Sequence, residues 1–369
     1  MINRERLINN FLEYVQIDSE TLNEGNMMKR LIQDMESLGM KVWTDNAGEK
    51  INSDGNNVYG YLEGELDLEP LLFSAHMDTV KPGINVKPII KEDTIYSSGD
   101  TILGGDDKSG IAGIIEAIRV IKEKNLPHGP IEVVFTICEE GGLKGSKNLQ
   151  YDTLKSKKAY ILDSGDNVGK VITKAPAQDK ILAKIKGKAA HAGVAPEEGI
   201  SAIQVAAEAI VNMKLLRIDE ETTANLGTIS GGKATNIVCP EVEIVGEARS
   251  LNNDKLKVQT EHMVECLNKA VEKFGASMEL EVAHNYDAFD IDENDEILSI
   301  TREACKRAGV TFSTGSSGGG SDANILNGNG IKAVTLATGM SKVHTVDEFI
   351  TIENLVNTAK LTLEIMLRK

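Results

Sequence analysis

Two rhythms of apolar spacing take turns along the first part of the chain, one near 3.6 residues and one of unbroken or alternating runs. The opening MINRERLINNFLEYVQ reads as an amphipathic helix, and a second helix follows from about Glu24 to Gly39, with Met27, Leu31, Met35 and Leu38 on one face and a glycine near its end. Strands are predicted at Lys41 to Thr44, Asn57 to Leu62 and Leu71 to Ala75, the last running into His76-Met77-Asp78. A loop containing GDTILGGDDKSG leads to a helix from about Ser109 to Lys124, and then comes IEVVFTICEEGGLKGS, Ile131 to Ser146. Its opening is apolar and β-branched enough to belong at the centre of a sheet, with Glu139 and Glu140 at its carboxyl edge. Neighbouring side chains in extended backbone face opposite ways, so two glutamates serve one site only if the strand stops there, and Gly141 with Gly142 allows that turn. Tyr160 to Leu162 is a short strand ending in Asp163-Ser164-Gly165. Strands alternating with helices describe a mostly parallel sheet covered by helices on both faces.

From about Lys180 the pattern changes. Ile181 to Ile185 alternates like a half-exposed strand, Ile200 to Leu216 is an alanine-rich helix, and Ala224 to Ile229 and Val242 to Ala248 are strands separated by a Gly-Gly turn. A helix at Lys255 to Phe274 and a strand at Met278 to Ala283 complete a βαββαβ order, the split unit of ferredoxin-like α+β sandwiches. The earlier pattern then resumes, with a helix at about Glu293 to Ala308, a strand at Ala333 to Ala337, a loop carrying His344 and a closing helix from Ile352 to Leu367. The smaller domain is therefore expected as an insertion: residues 1–177 and 289–369 form one discontinuous domain and 178–288 the other.

Length agrees with this division, since 369 residues exceed one ordinary core. A net charge of −16 argues against a nucleic-acid or anionic-membrane surface, and carboxylates gathered at one place suit a divalent cation. No apolar run is long enough to cross a bilayer, which leaves the cytoplasm as the expected location. Cys138, Cys239, Cys266 and Cys305 lie far apart with no C-x-x-C pair, so neither a disulfide framework nor a thiolate zinc site is indicated.

Polar residues at the ends of apolar strands are the candidate chemistry. His76-x-Asp78 has the spacing of an imidazole with a carboxylate that fixes its ring, although a polar strand end has the same form. Asp106-Asp107-Lys108 sits at a loop-to-helix junction, where a carboxylate could also cap the helix. Glu139, Glu140 and Asp163 end two further strands, His344 precedes the last helix, and His191 lies in the insertion. A hydrolytic two-metal centre needs oxygen ligands and imidazoles on both ions, a shared carboxylate and a separate base for the water, and these residues supply each part.

In this order, SAHMDTV, LGGDDKSG, ICEEGG, ILDSG, KAAHAG and HTVDEF closely resemble the M20 family of di-zinc peptidases and amidohydrolases, most nearly its peptidase T-like branch. The resemblance covers nearly the whole chain and implies a zinc-exopeptidase-like catalytic domain with an inserted lid that often forms a dimer surface. It implies two divalent ions, zinc, with His76 and Asp163 on one, Glu140 and His344 on the other, and Asp106 between them. The D-x-K pattern selects Asp106, with Asp107 the neighbouring alternative. Asp78 would orient His76, and Glu139 would be the general base that activates water and passes its proton to the leaving amine. His191 looks like the lid histidine that donates to the oxyanion. Asn236 and Arg249 look like substrate contacts, against the readings of a turn asparagine and a surface arginine. The run Ser317 to Asp322, with Gly319 and Gly320, resembles the family's glycine-rich substrate loop, whose exposed N–H groups at a helix start could bind a carboxylate. Aspartate rather than glutamate at position 163 resembles the aminopeptidase-type members.

The reading that results is a metal-dependent, tripeptide aminopeptidase-like exopeptidase acting on short peptides, with a homodimer through the lid. An N-acyl amino acid amidohydrolase or dipeptidase would use the same chemistry, and a non-catalytic, metal-stabilised binding module would keep the fold. A nucleotide-binding loop at GGDDKSG is disfavoured, because the glycine directly before the lysine is missing and a carboxylate stands in its place.

Overall fold

Four parallel strands lie side by side in the order Ile131–Thr136, Leu71–His76, Lys158–Ser164 and Lys332–Ala337 at the centre of a nine-stranded sheet. Every residue of Leu71–His76 and Ile131–Thr136 is buried, the reason both are mostly apolar, and their buried polar members are paired: Ser74 Oγ donates to Val134 O, and Glu132 accepts from Lys155 N and Ser156 N. The register pairs His76 with Thr136, and Phe73 with Tyr160, whose rings stack with centroids 5.5 Å apart. Val58–Leu62 and Lys41–Thr44 extend one side antiparallel, and Lys170–Ala175 runs antiparallel to Lys332–Ala337 on the other. The long helix Gly105–Lys124 packs against Leu71–His76, Arg4–Val15 and Ile352–Met366. This computed structural model describes residues 1–368.

The chain divides into two compact units, one made of residues 1–174, 290–317 and 321–369, the other of 175–289 and 318–320. In the second unit the strands Ala177–Lys186, Thr222–Gly231, Glu241–Ser250 and Ser277–Tyr286 form an antiparallel sheet. Counted along the chain as first to fourth, they stand in the spatial order second, third, first, fourth, which with the helices Ala202–Asn212 and Asn253–Phe274 is the ferredoxin-like arrangement. Alternation along Ala177–Lys186 turns Ile181, Ala183 and Ile185 into a core shared with Val205 and Ala209 of one helix and Met263 and Leu267 of the other.

Several local expectations change. The strand predicted to carry Glu139 and Glu140 at its edge ends at Thr136. Side chains take over from the sheet partner there: Asn57 Oδ1 accepts from Ile137 N at 3.0 Å, and Glu24 Oε1 accepts from Cys138 N at 3.0 Å, where Cys138 adopts a left-handed φ of 50°. The helix expected from Ser109 begins at Gly105, with Asp106 and Asp107 non-helical inside its first turn. A three-stranded sheet of Pro88–Lys91, Thr94–Ser97 and Phe349–Thr351 arises where a loop was expected. Gly318–Gly320, placed by sequence in the first domain, group with the second unit.

Candidate metal centre

Loops leaving the carboxyl ends of the parallel strands bring the acidic residues and two histidines of the first unit together. His76 ends its strand almost wholly buried, its Nε2 3.0 Å from Asp106 Oδ1 and 3.9 Å from Asp163 Oδ1. The other oxygen of the same aspartate, Oδ2, lies 3.2 Å from Nε2 of His344, which in turn is 2.7 Å from Glu140 Oε1. Asp106 thus stands between the two imidazoles. Ligand atoms of His76, Asp106 and Glu140 fall within 4.8 Å of one another, as do those of His76, Glu139 and Asp163.

Asp107 faces inward instead. Its Oδ2 accepts from His76 N and its Oδ1 from Gly110 N, so it holds the strand end and the helix turn rather than joining the cluster. Lys108 is buried and donates from Nζ to Ile17 O at 2.8 Å; burial lowers its pKa to about 8, and its ammonium is committed to the backbone.

Asp78 faces His76 with both its main chain and its carboxylate, and the carboxylate has further partners. The nearest partner of His76 Nδ1 is the Asp78 main-chain carbonyl at 2.9 Å, with Asp78 Oδ1 at 3.5 Å. The Asp78 carboxylate accepts from Glu139 N at 2.9 Å, Glu140 N at 3.2 Å and Thr21 Oγ1 at 2.8 Å, which fixes the turn presenting both glutamates.

Electrostatics tests whether a cation fits. Burial raises the Glu139 and Asp163 carboxyls well above the usual range, reinforced by repulsion from Asp163 and Asp106 respectively. His344 is pushed up to about 10 by its hydrogen bonds to Asp106 and Glu140, and on His76 the lowering effect of burial is outweighed by hydrogen bonds to Asp106 and Asp78 and by the charge of Asp163, so its imidazole is raised as well. So many carboxylates compete for so few positive partners that a divalent cation would relieve the repulsion, and the oxygen and imidazole donor set suits zinc or manganese.

Of the other predicted residues, His191, Asn236, Arg249, Gly319 and Gly320 belong to the second unit. His191 and Asn236 are close there: Ala192 N donates to Asn236 O at 3.0 Å, and His191 pairs with Ile237 in an isolated bridge. Arg249 is held by Glu247 through Nε at 2.9 Å and Nη2 at 3.0 Å and reaches Gly318 O through Nη1 at 3.4 Å. Gly320 is required by packing, since a Cβ there would come 2.4 Å from the Tyr286 ring. Ser321 caps the following helix Asp322–Gly328, accepting from Ala323 N, while Asn324 Oδ1 accepts from Ser321 N.

Two buried acids lie beside the cluster, Glu348 given no role by the sequence reading and Asp322 named there only as the end of the glycine-rich run. Asp322 accepts from Thr136 Oγ1 at 2.6 Å while its Oδ1 is buried without a partner, and Glu348 accepts from main-chain N–H groups next to Asp106. The motifs GGGSD and HTVDEF contain them, but a local pattern carries no mark of burial for an acidic loop residue.

Comparisons with known proteins give the family. The chain is 43% identical over 366 residues to the uncharacterised protein YqjE of Bacillus subtilis strain 168, covering 99% of each. It superposes on the crystal structure of aminopeptidase PepT from Bacillus cereus ATCC 10987 with a TM-score of 0.92 at 45% identity, and on a tripeptidase from Staphylococcus aureus subsp. aureus Mu50 with 0.96 at 43%, covering in both cases 99% of this chain and 98% of the other. The pattern of peptidase family M20/M25/M40 matches residues 72–368, which takes in every member of the acidic and histidine cluster, and the chain belongs to that family and is a peptidase.

Proposed function

We propose that this peptidase is a metal-dependent aminopeptidase of short peptides, tripeptides foremost. The observation that carries the reading is the placing of Asp106 with one oxygen toward His76 at 3.0 Å and the other toward His344 at 3.2 Å, the disposition of a carboxylate shared by two cations. Two divalent ions, zinc foremost among those the donors suit, would be held by His76 and Asp163 on one side, by Glu140 and His344 on the other, and by Asp106 between. What bound ions supply at such a site is Lewis acidity, which lowers the pKa of a water and polarises the peptide carbonyl.

The remaining work falls to the chain itself. Glu139 takes a proton from the attacking water and returns it to the leaving amine nitrogen, and Asp78 holds the main chain of Glu139 and Glu140 so that this carboxylate keeps its place. His191 donates a hydrogen bond to the substrate oxyanion. Asn236, Arg249, Gly319 and Gly320 contact the peptide. Similarity to an aminopeptidase and a tripeptidase supports the substrate class. Free, buried cysteines suit the cytoplasm, and no helix of the described residues is long and apolar enough to cross a membrane. Exposed Ile203 and Val211 on one helix of the second unit and Val258 on the other support a homodimer through this unit.

The test is a panel of tripeptides, dipeptides and N-acyl amino acids assayed with zinc-, manganese- and cobalt-loaded protein. Release of the N-terminal residue from tripeptides ahead of all other substrates is expected. Preference for N-acyl amino acids would select the amidohydrolase chemistry instead.

A further inference from the structure

We infer that Glu348 is a positioning residue for one of the two metal positions, setting the spacing between His344 and Asp106 by clamping the loop that carries one to the loop that carries the other. The inference rests on the two-metal reading above. Glu348 lies in the first unit, four positions after His344, with its side chain buried. Both of its oxygens are committed to a single short segment: Oε2 accepts from Gly104 N at 2.8 Å and Oε1 from Asp106 N at 3.0 Å. The fit is close, since a Cβ added at Gly105 would come 3.1 Å from Oε1.

The main chain of Glu348 is itself anchored. Ser341 and Phe349 exchange two hydrogen bonds, Ser341 N to Phe349 O at 2.9 Å and Phe349 N to Ser341 O at 3.0 Å, closing the loop on which His344 sits. Glu348 N donates to Thr345 O at 3.1 Å inside that loop, and the strand Phe349–Thr351 pairs with Thr94–Ser97. The carboxylate is thus a strut from a closed loop to the peptide of the shared aspartate. His344 needs such a strut, because its ring is half exposed and its backbone has a left-handed φ of 63°. His76 does not: it ends a fully buried strand, and Asp107 and Asp78 accept from or face its main chain and ring. Loss of Glu348 should therefore be felt on one side of Asp106 and not on the other.

A buried carboxylate is costly to desolvate, and two charge-assisted bonds to backbone N–H groups compensate it. Glutamine keeps the shape and one acceptor but turns an NH2 toward the second N–H. The experiment compares wild type, Glu348→Gln and Glu348→Ala with His344→Ala as the reference for losing that side. Zinc per chain is measured after dialysis against buffered zinc, the affinities of the two ions are read by competition with a chelator of known affinity, and the melting temperature of the metal-free protein is recorded.

Wild type is expected to hold two ions. Glu348→Gln should weaken one of them about 10–100-fold while the other stays within about threefold, reproducing the one-ion pattern of His344→Ala. Glu348→Ala should go further in the same direction, and Glu348→Gln alone carries the comparison where the alanine variant fails to fold. Equal weakening of both ions in step with a lower melting temperature of the metal-free protein would make Glu348 merely structural and overturn the inference. Two ions at unchanged affinity in Glu348→Gln would also overturn it while leaving the two-metal reading intact, whereas a wild type that binds no ion removes that reading itself.

Discussion

Nε2 of His344 stands 2.7 Å from Oε1 of Glu140 across a separation of 204 residues. No local interaction brings two such groups together. The parallel sheet does, because its connecting loops leave at one edge, so that residues following Leu71–His76, Ile131–Thr136 and Lys332–Ala337 meet there. The first prediction follows from which of these groups is shared. Asp106→Ala removes the carboxylate facing both histidines and should reduce zinc from two ions per chain to less than one, measured by elemental analysis of dialysed protein.

Among the described residues Glu139 differs from its neighbour in that no imidazole hydrogen bond claims it, whereas Glu140 is paired with His344. Glu139→Gln should lower kcat by about 10²–10⁴-fold. Its zinc content and melting temperature should remain near wild type, which separates a proton-transfer role from a structural one. A kcat close to wild type would remove Glu139 from that role.

Asp78 is fully buried and accepts three hydrogen bonds, two of them from the amides of Glu139 and Glu140. Asp78→Asn must aim an NH2 at one of its three donors, so stability should fall by about 1–3 kcal/mol in a denaturant titration. Activity should fall about 10–100-fold, because the glutamate turn loses its anchor.

Ion binding should also be visible as stability. A site that exists in the folded chain and not in the unfolded one gains about 2.7 kcal/mol when free metal is a hundred times its Kd. The melting temperature of chelator-treated protein should accordingly rise with added zinc, and in Asp106→Ala that rise should be lost.

Much of this architecture is legible in the sequence for a definite reason. The strands containing Leu71 to Ala75 and Ile131 to Thr136 read as central because burial on both faces leaves them mostly apolar, with few polar residues such as Ser74 and Glu132, and Ile181 to Ile185 reads as half-exposed because only alternate residues of Ala177–Lys186 enter a core. Pro88–Lys91 and Thr94–Ser97 escape notice because they are short, with Ile95 the one fully buried member and no period to detect. The histidines and acids of the site stand out because imidazoles and carboxylates at strand ends are chemically unusual in combination. Glu348 and Asp322 do not, since their importance lies in which distant N–H or hydroxyl group they meet, Asp106 N for one and Thr136 Oγ1 for the other. The same limit applies to Asp78, where a sequence motif correctly marks a carboxylate near His76 but not that this carboxylate serves the backbone of Glu139 and Glu140.

The central claim is that one carboxylate is shared by two cations, and anomalous diffraction at the zinc edge from crystals grown with zinc tests it most directly. Two peaks about 3.5–4 Å apart, one beside each oxygen of Asp106, are predicted. A single peak, or zinc bound away from Asp106, would contradict the account.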